Sequence, residues 1–158
     1  MSPNDYKPHL LVLPEDDANR QMATGFRLEV NPRQIQVLGT TGGWVHACEH
    51  FRANHIVGMR RRGRRLVVLL IDFDTDPDRR QEVAKYIPTD LADRVFVLGV
   101  WSEPEALKRD GLGPYEDIGR TMARDCRDGT RAIWSHDLLR HNAEELDRLY
   151  EAVSAFLF

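Results

Sequence analysis

Residues 66–76 read LVVLLIDFDTD, an apolar run of six residues followed by alternating acidic positions. The run is too short for a buried helix, and continuous apolarity favours a strand that is covered on both faces. Strands of this kind are typical of parallel sheets, where helices pack above and below. This stretch therefore predicts an α/β fold in which Asp72 and Asp74 follow the carboxyl end of a buried strand.

Similar short runs occur on both sides of this strand. They are HLLVL at 9–13, RQIQVL at 33–38 and VFVLGV at 95–100. The alternating run at 33–38 is expected nearer an edge of the sheet. Segments with helical character separate or follow the strands, at 17–29, 44–59, 77–86, 104–108, 115–126 and 143–156. This order predicts a three-layer, Rossmann-like sheet of about four mainly parallel strands with helices on both faces.

Two helix starts carry recognisable capping residues. Asp76 followed by Pro77 predicts an N-cap with proline at the first helical position. Asn142, with Glu145 three residues later, predicts a capping box at the start of the last helix. The buried face of that helix is expected to carry Leu146, Leu149, Tyr150, Val153 and either Phe156 or Leu157.

The chain of 158 residues shows no repeat or linker, so it predicts a single domain over 1–158, with 111–158 a helical extension packed on the core. No apolar run approaches the roughly 20 residues of a membrane span. The start of the chain lacks a secretory pattern, so a cytoplasmic location is expected. Cys48 and Cys126 form no CxxC pair, which favours buried thiols over zinc ligands.

Acidic residues follow two of the predicted strands. Glu15 comes after the first, and Asp72 and Asp74 after the third. Ligands of open α/β sheets bind beyond the carboxyl ends of the strands. Two carboxylates two residues apart in an extended segment point the same way. Because carboxylate oxygens suit Mg²⁺ or Mn²⁺, the sequence predicts one divalent-metal site here, unless the acidic residues only cap helices.

The order of Glu15, a glycine-bearing turn (GTTGG, 39–43) and an Asp72-x-Asp74 pair resembles the Toprim domain of topoisomerases, primases and small nucleases. The resemblance covers roughly residues 9–110, with Asp16 where many members have glycine. It implies acid–base work for Glu15 and magnesium binding by Asp72 and Asp74 in phosphodiester cleavage or joining. It also implies a further acidic ligand after the fourth strand, either Glu105 or Glu103.

Two further features concern phosphate and partners. Gly42 and Gly43 are expected to let backbone N–H groups approach a phosphate. Five arginines lie just before the third strand, at the edge of the sheet opposite the metal site: Arg60, Arg61, Arg62, Arg64 and Arg65. Clustered arginine is typical of DNA or RNA backbone binding, and the alternative is a solvated turn. A homodimer, or a larger defence or repair partner protein, is a further expected partner.

Three other functions stay open at this point. A phosphoacceptor receiver domain would use Asp72 as its acceptor, but it expects Thr or Ser after the fourth strand and Lys-Pro after a fifth. A haloacid-dehalogenase-type phosphatase would use Asp72 and Asp74, but normally on its first strand. The third alternative is a Toprim-like interaction module without catalysis. Magnesium-dependent nuclease chemistry is the function that the motifs favour.

Overall fold

The computed structural model describes residues 7–158, which contain one four-stranded sheet. Its strands are β1 (His9–Pro14), β2 (Ile35–Val37), β3 (Arg65–Leu70) and β4 (Val95–Leu98). They lie in the order β2-β1-β3-β4, and every pairing is parallel. The predicted Rossmann-like α/β arrangement is confirmed, and the alternating run forms an edge strand as expected.

Seven helices connect or follow the strands in the described part of the chain. They are α1 (Asp17–Leu28), α2 (Trp44–Asn54), α3 (Ile56–Arg61), α4 (Arg79–Ala84), α5 (Pro104–Arg109), α6 (Tyr115–Asp128) and α7 (Ala143–Leu157). Within residues 7–158, none of these helices combines the length and apolar character needed to cross a membrane.

Helices cover both faces of the sheet because alternate strand residues are buried on opposite sides. Leu11 and Leu13 point towards the layer formed by α2, α3 and α4. Leu10 and Val12 point towards α1 and α7 on the other face. Helix α6 packs on the outer side of α1 and, with α5, completes a third apolar cluster around Ile118. Residues 111–158 therefore contribute to the core through both α6 and α7.

The structure corrects several predicted boundaries. The second strand begins at Ile35 because Pro32–Gln34 forms a 3₁₀ turn whose start is capped by the Asn31 side chain. The helix predicted over 44–59 is interrupted at His55. Just before this break, the Asn54 side chain donates to the His50 carbonyl and so competes with the helical ladder.

The helix after β3 also begins later than predicted, at Arg79. Asp76 does not cap it, because its carboxylate accepts a hydrogen bond from the backbone N–H of Asp78 in the preceding turn. The fourth strand ends at Leu98. Gly99 follows at a point where a Cβ atom would lie 1.6 Å from the carbonyl oxygen of Ile71, so only glycine fits there.

The predicted capping box of α7 is wrong. The fully buried Asn142 side chain instead bonds to both backbone groups of Gly99, accepting from its N–H and donating to its carbonyl oxygen. Glu145 accepts from the backbone N–H of Val97. These contacts join α7 to the end of β4. Tyr150, predicted on the buried face, is 40% exposed, whereas Leu157 is buried.

Asn142→Ala is expected to lower the free energy of unfolding by about 2–3 kcal/mol. The change leaves the buried N–H and carbonyl of Gly99 without their side-chain partner, and an unpaired buried polar group costs about 1–3 kcal/mol. Urea unfolding measures the difference. Gln81→Ala, at an exposed position of α4, is the control and should change stability by less than about 0.5 kcal/mol.

Candidate metal and phosphate site

The first two acidic residues of the site are brought together by the pairing of β1 with β3. Pro14 lies opposite Leu70 in this parallel pair, and the backbone N–H of Glu15 donates to the Leu70 carbonyl at 2.9 Å. The Glu15 carboxylate accepts a hydrogen bond from the backbone N–H of Asp72 at 2.5 Å. Both side chains are buried, with Glu15 8% and Asp72 7% exposed. The adjacency on which the predicted site depends is therefore present.

Burial has a large effect on the Asp72 carboxyl. Removal from water is the main cause that raises the pKa of Asp72 to about 8, while a hydrogen bond from Asn19 opposes the rise. The carboxylates of Glu15, Asp16 and Asp74 raise it further. Burial likewise raises the pKa of Glu15 above its usual range, partly offset by its hydrogen bond from Asp72. At neutral pH the Asp72 carboxyl holds its proton unless a cation is bound.

Asn19 holds this pair in place from the first helix. Asp16 caps α1 by accepting from the Asn19 backbone N–H at 3.0 Å, as its position after β1 suggests. The Asn19 side-chain amide donates to Asp72 at 2.8 Å and to Asp16 at 2.9 Å. Its own carbonyl oxygen, Oδ1, is buried without a hydrogen-bond partner. An unpaired amide oxygen beside two carboxylates is a further hard-oxygen donor.

Asp74 lies close enough to this pair to raise the pKa of both carboxyl groups, but its own carboxylate is bound by Arg79. It is not in an extended conformation, because Asp74 and Thr75 have φ values of 49° and 57°. Left-handed conformations are unusual for non-glycine residues, above all for a β-branched threonine, and such strain clusters at functional sites. The Asp74 carboxylate accepts from Arg79 at 3.0 Å. The expectation that Asp72 and Asp74 project together from an extended strand is therefore not met.

The donor set fits a hard divalent cation in its chemistry. Glu15, Asp72 and Asn19 offer carboxylate and amide oxygens, which are the ligands of Mg²⁺ and Mn²⁺. As arranged, however, no three His, Cys, Asp or Glu side chains among residues 7–158 form a group that could hold a metal ion. The hydrogen bond from Arg79 to the Asp74 carboxylate is one reason, because it occupies the oxygens that a metal ion would need.

Arg79 was not singled out by the sequence pattern, although it lies at the centre of the site. Its side chain is 8% exposed and also donates to the Asp72 carbonyl oxygen at 2.8 Å. The guanidinium lies 4.4 Å from the centre of the Trp44 ring, a cation–π contact. In the sequence DPDRR, Arg79 looks like an exposed residue at a helix start. Only the fold shows that it turns inwards.

The predicted second acidic ligand lies on the rim. Glu105 is exposed in the first turn of α5, and Glu103 pairs with Arg109. Glu105 is near enough to Tyr115 to raise the pKa of that phenol, secondary to burial, and Asp72 contributes to the same rise. Lys108 lies over the Tyr115 ring at 4.5 Å. An aromatic ring and a cation thus stand beside Glu105 at the mouth of the site.

The two glycines expected to bind phosphate have a different partner in the structure. Gly42 and Gly43 have positive φ values, as their turn requires. Their backbone N–H groups both donate to the Glu15 carbonyl oxygen, at 3.0 and 3.3 Å. The turn therefore fixes the backbone of Glu15, and these N–H groups are not directed to an outside ligand.

The arginine run lies before β3, whereas the carboxylates follow β3. A strand of six residues separates the two edges by about 20 Å. Arg60 pairs with Asp90 at 3.1 Å, and Arg65 bonds to His9. Arg61 and Arg64 are exposed. The predicted separation between the arginine run and the carboxylates is present.

Comparison with protein-family models, with curated proteins and with solved structures finds no match to this chain. The sheet of four parallel strands flanked by helices is compatible with a Toprim-like fold. The finer resemblance to Toprim domains rests on the sequence order of Glu15, the glycine-bearing turn and the Asp72-x-Asp74 pair.

Proposed function

We propose that this protein carries out divalent-cation-dependent phosphodiester chemistry on nucleic acid, as a Toprim-like nuclease. The observation that carries the proposal is the buried carboxylate pair, Glu15 and Asp72, on neighbouring parallel strands. Two adjacent buried carboxyl groups are unfavourable when ionised, and perturbed groups of this kind cluster at functional sites. A Mg²⁺ or Mn²⁺ ion would relieve the repulsion.

Each acidic residue has a role in this proposal. Asp72 and Asp74 would hold the cation, with the Asn19 amide oxygen beside them, and Glu105 would support a second ion. Glu15, whose pKa is raised by burial, is suited to move a proton at the scissile bond. A divalent cation bound there would supply charge stabilisation for the phosphoryl oxygens and activation of a water nucleophile.

The surroundings also suit a nucleic-acid chain. Trp44 and Tyr115 are partly buried, with the cations Arg79 and Lys108 over their rings, and these cations bring positive charge to the surroundings of the carboxylates. Arg61 and Arg64 are exposed on the far edge, where a longer strand that wraps around the domain would meet positive charge. Together these features favour a polymer over a small phosphate ester.

A second candidate is a Toprim-like interaction module without turnover. The contact between Arg79 and Asp74 favours it, because a built-in cation already neutralises one of the proposed metal ligands. The receiver-like alternative has less support. Residues 7–158 form four strands, so the fifth strand and the Lys-Pro that a receiver expects have no counterpart in the described chain.

Cleavage of labelled single- and double-stranded DNA and RNA tests the proposal. With Mg²⁺ or Mn²⁺ the wild type should cleave at least one of these substrates, and EDTA should abolish the cleavage. An Asp72→Asn/Asp74→Asn double variant should lose at least a hundredfold in rate, because both proposed metal ligands are removed.

Asp93→Asn is the matched control. Asp93 is exposed in the 3₁₀ turn before β4, at the edge of the sheet opposite the carboxylates, so its variant should cleave as the wild type does. Equal cleavage by the double variant would identify a contaminating nuclease. Failure of the wild type both to cleave and to bind Mn²⁺ would refute the proposal and favour the interaction module.

A further inference from the structure

Unpaired polar atoms concentrate around the carboxylate pair. Four buried side-chain atoms within residues 7–158 lack a hydrogen-bond partner: Asn19 Oδ1, Arg79 Nε, Ser102 Oγ and His55 Nε2. The first three belong to the loops and helix starts at the carboxyl edge of the sheet. Buried polar groups are normally paired, so unpaired ones need an explanation, and an absent ligand is one.

These three atoms differ in what they require. Asn19 Oδ1 is an acceptor and suits a cation, as described above. Arg79 Nε carries an N–H donor and Ser102 Oγ an O–H donor, so both suit an anionic oxygen. Ser102 is held close to Asp74, whose backbone N–H donates to the Ser102 carbonyl at 3.2 Å. The site therefore has unused capacity for a cation and for an anion together.

Arg79 is the group that links the two requirements. Its Nη1 atom donates to the Asp74 carboxylate and to the Asp72 carbonyl oxygen, and its Nη2 atom lies 3.9 Å from Asp76. The ring of Trp44 supports the guanidinium plane. A divalent cation that bound Asp74 would compete with Arg79 for the same carboxylate oxygens and would repel the guanidinium charge.

We propose that Arg79 is the phosphate-binding residue of this site and that Asp74 retains it until a cation binds. This inference rests on the proposed function. A cation on Asp74 releases the guanidinium, whose Nε–H and Nη–H edge then binds two oxygens of one phosphate group. Arginine suits this task because its planar fork matches a phosphate in a bidentate manner, which the ammonium of lysine cannot do.

The cation half of the proposal is tested by titration with Mn²⁺ alone, followed by electron paramagnetic resonance. Arg79→Gln removes the competing charge, so Mn²⁺ should bind about tenfold more tightly than to the wild type. Arg79→Lys keeps a positive charge and should bind Mn²⁺ within about threefold of the wild type. Arg127→Gln, which removes an exposed arginine that pairs with Asp128 at the far end of α6, controls for the change in net charge.

The anion half is tested with Mg²⁺ or the less reactive Ca²⁺ present in excess. Arg79→Gln should weaken binding of a fluorescent 12-nucleotide single strand at least tenfold, measured by anisotropy, and Arg79→Lys should weaken it by a smaller factor. Titration with inorganic phosphate, followed by calorimetry, shows which kind of phosphate Arg79 recognises. If Arg79→Gln binds both inorganic phosphate and the oligonucleotide more weakly, Arg79 recognises any phosphate group. If only oligonucleotide binding is weaker, Arg79 recognises a phosphodiester.

The decisive result is tighter binding of Mn²⁺ together with weaker binding of the oligonucleotide in Arg79→Gln. A purely structural defect would weaken the binding of both ligands. Circular dichroism and thermal unfolding show whether Arg79→Gln is folded, and Arg79→Lys provides the second test if it is not. Mn²⁺ binding that Arg79→Gln does not change, or oligonucleotide binding that stays at the wild-type level in both variants, would overturn the role of Arg79 while leaving the metal site intact. A wild type that binds no Mn²⁺ would overturn the proposed function as well.

Discussion

Asp72→Asn is expected to make the metal-free protein more stable than the wild type by several kcal/mol at pH 8.5, but by only about 1–2 kcal/mol at pH 5. The burial that raises the pKa of Asp72 to about 8 is the reason. In an unfolded chain an aspartate titrates near pH 4. Between about pH 4 and 8, the folded protein therefore keeps a proton that the unfolded chain has lost.

The direction of the effect follows from this difference. Stability falls as the pH rises wherever the folded state binds more protons, so the wild type should lose stability from about pH 4 to 8. A shift of about four units corresponds to a limit of about 5 kcal/mol. Asparagine has the shape of a protonated aspartate and still accepts the hydrogen bond from Asn19, so the variant lacks most of this loss.

Chemical unfolding at several pH values in EDTA measures the two profiles. Asp93→Asn, an exposed position at the other edge of the sheet, should follow the wild type throughout. The free energy of unfolding of Asp72→Asn should still fall with rising pH, but less steeply than that of the wild type, because burial also raises the pKa of Glu15. Parallel profiles for wild type and Asp72→Asn would mean that Asp72 ionises in the folded protein without penalty.

At pH 8.5, addition of Mn²⁺ should stabilise the wild type more than Asp72→Asn and so reduce the difference in stability between the two proteins. A ligand that binds only the folded state stabilises it by mass action. The wild type should therefore unfold at higher denaturant concentration with Mn²⁺, and Asp72→Asn should respond little. A residue that lowers stability until a cation arrives is the arrangement expected of a functional carboxylate rather than of a helix cap.

The sequence could place Glu15 and Asp72 at the same edge of the sheet because both follow strand patterns, whereas the pairing of β1 with β3 that makes them neighbours is a finding of the structure. The apolar runs before these two residues predict buried parallel strands, and carboxyl ends of neighbouring strands meet at one edge. The run at 33–38 could likewise be placed at an edge from its alternation, as the strand order shows. These inferences use the period of a strand, which a single sequence displays directly.

The partners of the site could not be predicted in the same way. Arg79 is buried against Trp44 and the Asp72 carbonyl after a turn in which Asp74 and Thr75 have positive φ values, and a single sequence displays neither the turn nor these contacts. Asn142 looks like a helix cap, yet a buried contact with Gly99 outweighs the local signal. Both cases depend on tertiary contacts between segments far apart in the chain.

Gly119→Ala is expected to lower the free energy of unfolding by about 3 kcal/mol or more. A Cβ atom at Gly119 would lie 1.8 Å from the backbone carbonyl oxygen of Met22, and one at Gly25 would lie 1.9 Å from that of Glu116. The two glycines thus face backbone across the crossing of α1 and α6. Backbone cannot move aside as a flexible side chain can, so the helices must separate, at a cost above the usual 1–3 kcal/mol of overpacking.

The better helix propensity of alanine offsets only about 1 kcal/mol of this loss, so the melting temperature should fall by roughly 6–12 °C. Gly63→Ala is the control, because no atom lies within 4 Å of a Cβ there, and its melting temperature should stay within about 2 °C of the wild type.

Combining Gly25→Ala with Gly119→Ala should cost less than the sum of the two, since helices already separated by one methyl group accommodate the second. Strict additivity would show that each site relaxes alone. The separation should also reach the carboxylates, because Asn19 in the first turn of α1 binds Asp72 and α6 begins with Tyr115. Gly119→Ala should therefore weaken Mn²⁺ binding as well, although it lies outside the site.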